Sequence, residues 1–380
     1  MAIPGDLDTS FSGDGRKTIN FGGTDAARVV LVQPNGRIVV AGGGGSAAAS
    51  FCVVRLRTNG ALDTTFGSGG KRVINFGGDD DSVFGAALQP DGKIVLAGDS
   101  DLRVAVARLN PNGSLDTTFS GDGRKIFGWG ALSRASAVLV LPNGKILLAG
   151  FSGPEGGNIQ VARLNANGAL DTTFGAGGKA PVDFGGDDFG LAMARQANGR
   201  ILVVGRSTAG GAVVARLRTN GTLDPNFDGD GRVTLPGGGS ASAVLVQPDR
   251  KIVVAGNANG SAMMTVTRLQ PNGSLDTTFD GDGTATIDFG SLADLANDAV
   301  LQPDGKIVVA GYTQADEDVA VARINTDGSP DTTFGAAAKA TVDFGVATFG
   351  NAVALQTNGR ILVAGQRTGS DDFAVARLLG

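Results

Sequence analysis

Histidine is absent from this 380-residue chain, which also holds a single cysteine, a single tryptophan and a single tyrosine. Each shortage removes a kind of chemistry. Without histidine there is no Ser-His-Asp or Cys-His catalytic pairing and no histidine-ligated zinc or iron. Cys52 cannot form an intrachain disulfide, and its place in the apolar run "SFCVVRL" reads as a buried structural thiol rather than a reactive one. Trp129 and Tyr312 alone make a poor aromatic wall for a stacked sugar. A net charge of −5 argues against a nucleic-acid footprint or a polybasic membrane surface. No apolar run approaches the roughly 18–20 residues of a membrane helix, so no membrane insertion is expected. The start "MAIPGDLDTSF" shows neither the basic region nor the apolar stretch of a signal peptide.

What the chain has is glycine, 62 residues of it, within a hydrophobic content of 42% that suits a packed protein rather than a disordered one. It also has repetition. The Asp of an LDTTF-like phrase recurs as Asp8, Asp63, Asp116, Asp171, Asp224, Asp276 and Asp331, at spacings of 52 to 55 residues. Periods of this length mean stacked or circular arrays of one supersecondary unit. Each unit holds four short apolar runs; in the first they are "RKTINF" (16–21), "ARVVLVQ" (27–33), "RIVVAG" (37–42) and "FCVVRL" (51–56). None shows a sustained 3.6-residue period with caps, so helix is expected to be nearly absent. The runs are almost continuous in Val, Ile, Leu and Ala, as in a sheet covered on both faces.

Between the second and third runs stands a turn dipeptide: Asn35-Gly36, Asp91-Gly92, Asn143-Gly144, Asn198-Gly199, Asp304-Gly305 and Asn358-Gly359. These pairs predict a two-residue type I′ hairpin, which needs positive φ at both positions. Asp249-Arg250 breaks the rule, and its hairpin should be strained or of another type. Four antiparallel strands repeated seven times predict an all-β, seven-bladed β-propeller spanning residues 1–380 as one domain. The chain opens on the strand that follows LDTTF and ends on the strand that precedes it. Residues 15–22 are therefore expected as the outer strand of the C-terminal blade, tying the two ends through a hydrogen-bond ladder.

The pattern "LDTTFG.GG…FGG…A..LQPDGKIVVAG…VARLNPNG" resembles the delta-sixty repeat of bacterial surface and secreted proteins, and "AVLQPDGKIVVAG" (299–311) is similar to the core hairpin of NHL-type propeller repeats. The resemblance covers essentially the whole chain. It implies a propeller and an extracellular or cell-surface setting, and it carries no functional residues over.

A residue present in all seven units serves what every blade needs. Arg55, Arg108, Arg163, Arg216, Arg268, Arg323 and Arg377 close the third strand of each unit. They are expected to pair with Asp63, Asp116, Asp171, Asp224, Asp276, Asp331 and, through ring closure, Asp8; a ring of anion-binding arginines is the alternative. The Phe of the motif should anchor the same loop. The Lys or Arg after each hairpin turn, such as Lys93 and Arg360, reads as a solvated charge. "DGDG" turns at Asp228, Asp230, Asp280 and Asp282 resemble part of a calcium loop. Other copies replace that motif with "GSGG", "GAGG" and "GAAA", so plain turns, with calcium as a possible ligand and no other cofactor, are expected.

Function should lie where the units differ. The variable loops share one face and carry Asp79, Asp80, Asp81, Asp187, Asp188, Asp294, Asp298, Asp316, Glu317, Asp318, Asp371 and Asp372. Solvated carboxylates explain such a face, and a cation site or a surface for a basic partner would use it. The sequence thus leads to a monomeric, non-catalytic scaffold, a protein-interaction or structural module whose partner is unknown. A calcium-dependent or glycan-binding surface module is the alternative, with a carboxylate-based carbohydrate-active enzyme behind it.

Overall fold

The computed structural model describes every residue except 1, 46–48, 131, 154–156, 260–262, 292, 315–316 and 370. Among the described residues the regular elements are strands alone, arranged as seven four-stranded antiparallel sheets. The fold is a seven-bladed β-propeller. Blade 1 runs outward from Ala26–Val32 through Ile38–Gly44 and Ser50–Leu56 to Lys71–Ile74. The innermost strands of blades 2 to 7 are Asp81–Leu88, Arg134–Val140, Asp188–Arg195, Ser240–Val246, Asp294–Leu301 and Thr348–Leu355. Blade 7 takes its outer strand from the other end of the chain: Arg16–Ile19 pairs with Asp372–Leu378, from Arg16↔Ala376 to Ile19↔Phe373.

The second and third strands of blade 1 are buried along their whole length, which is why they read as unbroken apolar runs. Their side chains fill seven cores, one between each pair of neighbouring blades. The core that closes the ring joins Ile38, Val40, Cys52 and Val54 of blade 1 to Leu362, Ala364, Phe373 and Val375 of blade 7. Burial pushes the Cys52 thiol up to about 12, with Asp25 adding to the shift, so it stays protonated and unreactive.

The inner hairpins differ from the type I′ expectation. Gly36 has φ +78° while Asn35 is not in the left-handed region, and the Gly36 amide donates to the Gln33 carbonyl at 2.8 Å. Pro34 and Asn35 therefore form the centre of a type I turn, with the glycine following as a bulge. The same amide-to-carbonyl bond closes the turns over Ala197 and Thr357, where no proline stands, so the three-residue loop length sets the turn type. Arg250 occupies the glycine position of blade 5 at φ +72°, and "GAAA" places Ala337 and Ala338 at +54° and +72° where glycines stand in sister blades.

The repeated Arg, Asp and Phe meet at every blade junction. Each Arg Nε lies 2.5–2.9 Å from its Asp Oδ2, Arg377 on Asp8 included. Each guanidinium also stands 4.5–4.9 Å from the ring centre of the motif Phe. The cation after the hairpin turn is not a free solvated charge. Arg37, Lys93, Lys145, Arg200, Lys251 and Lys306 reach the same Asp Oδ2 at 2.5–3.1 Å, and Arg360 joins Asp8. From each motif loop one amide then crosses to a carbonyl of the next junction, for example Gly67 to Asn112 at 2.8 Å and Ser120 to Asn167 at 2.9 Å. Burial by itself would raise the Asp116 carboxyl; hydrogen bonds from Thr118, Lys93 and Arg108 outweigh it and hold the group well below the usual carboxylate range.

Two stability outcomes follow from this geometry. Asp224 is fully buried against Arg216 and Arg200. Asp224→Ala leaves those cations facing each other and should cost about 3–5 kcal/mol in urea unfolding. Conversely, Arg250→Gly and Ala338→Gly each relieve a left-handed residue and should raise the urea midpoint, by about 1 kcal/mol apiece. No change in either would show that the turns have relaxed to a different conformation.

Candidate functional site

Each innermost strand carries one β-bulge, at Ala27/Val29, Val83/Gly85, Ala135/Ala137, Gly190/Ala192, Ala241/Ala243, Ala296/Asp298 and Gly350/Ala352. The glycine that ends each "AG" phrase ("VG" in blade 4) exists for this bulge. A Cβ on Gly42, Gly98, Gly150, Gly205, Gly256, Gly311 or Gly365 would fall 1.7–1.9 Å from the carbonyl oxygen of the paired strand. A bulge re-aims the side chain it carries. The bulged residues are Arg28, Phe84, Ser136, Leu191, Ser242, Asn297 and Asn351, and all seven line one cavity of about 320 Å³ on the axis of the ring. Seven equivalent positions thus hold five different residue types in a chain that elsewhere repeats itself.

A second ring lies next to the first. The residue after each "AG" pairs across to the strand start and reads Gly43, Asp99, Phe151, Arg206, Asn257, Tyr312 and Gln366 around the circle. Both rings sit toward the end where the innermost strands begin, the face of the variable loops. On the side of blades 1 to 4 they form a connected arc. Arg28 stands 5.6 Å and Arg134 3.9 Å from the Phe84 ring centre, Arg134 also 5.2 Å from Phe151, Phe151 edge-on to Phe189 at 4.9 Å, and Arg206 4.6 Å over Phe189. The opposite side is amide and phenol. Tyr312 packs edge-on to Phe349 at 4.7 Å, while Asn297 and Asn351 donate to the Gly350 and Ala27 carbonyls of the neighbouring blades at 2.8 Å.

Two carboxyls at this end are raised. Burial pushes Asp99 up to about 6, with Arg134 drawing it down and Asp80 and Asp81 adding to the rise. Burial likewise lifts Asp298 to about 6 against backbone hydrogen bonds from Val353 at 2.9 Å and Ala299 at 2.8 Å. Asp298 stands where the other blades carry Val29, Gly85 or alanine. Arg28 is open to channel water yet surrounded by protein; this desolvation, reinforced by Arg134, lowers its pKa. Burial lowers that of Arg134 as well, with Asp99 opposing.

The acidic face expected from the loops is divided by the structure. Asp81, Asp188 and Asp294 are buried, and each accepts the amide of the preceding Phe76, Phe184 or Phe289 at 2.6–2.8 Å. They staple the loop entering each blade, as Asp25 does in blade 1, and are not surface ligands. Asp372 is buried too. Asp79, Asp80 and Glu317 are exposed, Asp187, Asp318 and Asp371 half-buried, and Asp316 lies outside the described residues. Of the eleven that are described, Asp298 alone lines the channel. In the "DGDG" turns, Asp230 holds the Arg232 amide at 2.8 Å and Asp282 the Thr284 amide at 2.8 Å, while Asp228 and Asp280 sit at left-handed positions. Among the described residues no three His, Cys, Asp or Glu gather as a metal-holding cluster. The residues sequence reasoning passed over are those of the two rings; their signal was variation at single positions inside otherwise repeated strands, not in loop tips.

The sequence matches a domain of unknown function (DUF5122) beta-propeller over residues 33–66, 89–119, 141–174, 196–227, 247–279, 302–334 and 356–380. The chain belongs to the DUF5122 beta-propeller family. Six of the seven matches run from the residue opening the hairpin turn to the motif Phe, so the matches take in the fastening residues and the ring after the strand-ending glycine and leave out the bulged residues. No curated protein matches this DUF5122 chain in sequence. Its fold is similar to that of the virginiamycin B lyase of Staphylococcus aureus, with a TM-score of 0.63 over 96% of this chain and 99% of that chain at 9% identity. It is also similar to a hydrazine synthase of Kuenenia stuttgartiensis (TM-score 0.59, 94% and 97% covered, 12% identity). A third likeness is to YCF48 bound to a D1 peptide (TM-score 0.54, 100% and 98% covered, 10% identity). These likenesses correct the expectation of a non-catalytic scaffold. That reading took a bare propeller disc to lack chemistry of its own, and the disc is here shared, nearly end to end, with a lyase and a synthase. A histidine-to-alanine variant of the lyase is catalytically inactive; this chain has no histidine to play such a part.

Because the folded chain binds the Asp298 and Asp99 protons more tightly than the unfolded chain does, the stability they contribute is complete below about pH 4. It is lost as the pH rises through about 6. Asp298→Ala, with the alanine of its sister blades, should flatten part of this decline. Urea midpoints of both proteins between pH 4 and 8 measure it; parallel profiles would place the Asp298 pKa near its ordinary value.

Proposed function

We propose that the DUF5122 chain acts on a small molecule held at the wide mouth of its channel, with Asp99 as the acid–base group. The observation that carries this reading is the pair of non-repeating rings. Seven near-copies keep every residue needed for folding, so the positions released from repetition are free to serve a ligand. The bulged residues line one cavity and the second ring stands next to it, and together they mix aromatic, cationic and amide side chains, the composition of a small-molecule pocket. A carboxyl titrating near neutrality beside a cation is the group through which a chain without histidine can exchange protons at working pH. Asp298, lower in the channel, has both oxygens engaged by backbone amides and fits a positioning part. The likeness to lyases supports turnover in such a mouth, although their histidine chemistry does not carry over. The delta-sixty resemblance adds an extracytoplasmic setting.

A pH-stat assay on a panel of small lactones, esters and β-substituted carboxylic acids tests the proposal. Saturable turnover in the wild type, lost at least a hundredfold in Asp99→Asn at unchanged melting temperature, is the expected outcome. Turnover untouched by that substitution would remove Asp99 from the mechanism.

A further inference from the structure

The ligand class is written in the arc of blades 1 to 4. Its members alternate as Arg28, Phe84, Arg134, Phe151, Phe189 and Arg206, each in ring–cation or ring–ring contact with the next. Elsewhere in this protein an arginine beside a phenylalanine has its carboxylate: all seven junction arginines are paired to an Asp at 2.9 Å or less. Arg28, Arg134 and Arg206 form no ion pair among the described residues. The Nε of Arg134 is buried without a hydrogen-bond partner. Two guanidiniums stand within 5.6 Å of the Phe84 ring centre, so positive charge is gathered around one ring at the cavity wall. A chain of net charge −5 has carboxylates to spare, yet among the described residues it is the buried Asp99 that acts on Arg134.

Resting on the small-molecule reading above, we infer that the mouth binds a planar aromatic anion, its carboxylate or comparable anionic group held by Arg28 and Arg134 and its ring stacked along Phe84 and Phe151. A guanidinium fork suits a planar carboxylate bidentately, and a ring already flanked by cations offers an aromatic ligand an edge and a face at once. The amides and phenol of blades 5 to 7 stand across the mouth for the remainder of the molecule. The cavity of about 320 Å³ suits one ligand of two fused rings rather than a polymer.

Calorimetric titration with four probes tests the inference: naphthalene-2-carboxylate, its neutral carboxamide, 2-naphthylmethylamine and inorganic phosphate. The carboxylate should bind, more weakly at high salt, with the other three at least tenfold weaker. Arg134→Gln and, independently, Arg28→Gln should each weaken it by about tenfold to a hundredfold. Arg28 is open to the channel, so its replacement spares the fold even if that of Arg134 does not. Equal binding of the carboxamide or the amine would overturn the anionic class and leave a small-molecule site in place. Phosphate binding as tightly as the carboxylate would overturn the aromatic part. Binding by none of the four would overturn the inference as a whole, and Asp99-dependent turnover of an uncharged substrate would then show that the small-molecule reading survives it.

Discussion

One carboxylate between two cations holds this molecule together, and it does so at every junction. In blade 4 the Asp224 side chain is fully buried with Arg216 at 2.9 Å and Arg200 at 2.5 Å. The first cation ends the third strand; the second follows the inner hairpin turn. A single charge therefore pins two strands of its own blade, while the Arg lies on the motif Phe and reaches forward to a carbonyl of the next blade. Desolvating a carboxylate is expensive, and the group remains charged here because several donors surround it. The arrangement needs an adjacent blade, and the last blade has one only because the chain returns to Arg16–Ile19 and Asp8 meets Arg377.

That division of labour separates the two faces. The hairpin turns, the fastening loops and their cations lie at one face and are copied in every unit. The bulged residues and the residues after the strand-ending glycine lie toward the other and differ from blade to blade. The link between them is steric. Each "AG" glycine lets the innermost strand bulge, and the bulge directs one side chain per blade toward the axis. The fold thus provides seven equivalent sockets whose contents folding does not dictate.

The same residue type behaves in opposite ways at the two faces. Asp8 falls to about 2 because donors from Ser10, Arg360 and Arg377 overcome its burial. Asp99 and Asp298 rise to about 6 because burial meets too few donors. A permanently charged aspartate suits a fastener, and one that changes charge near neutrality suits a site.

Repetition made most of the architecture legible in the sequence. Strand number, closure by residues 15–22 and the Arg-to-Asp spacing follow from a pattern in which every local choice is made seven times. The turn type differs from the "NG" expectation because the loop is one residue longer than that dipeptide, with or without proline, as the same bonds over Ala197 and Thr357 show. The cations after the turns looked solvated because their partners lie 24 to 26 residues away in the longer-range pairs of Lys145, Arg200 and Lys306, a separation that only the fold closes. The acidic residues of the loops looked alike as letters. Strand entry buries Asp81, Asp188 and Asp294 under a loop amide and leaves Asp79 in water, and no composition distinguishes them. The sequence by itself determined a ring of seven self-similar sheets, because hydrophobic runs and turns are local. The meeting of Arg28, Phe84, Arg134 and Phe151 belonged to the tertiary structure alone, because they come from three different blades and touch only where the closed ring brings its bulges to one axis.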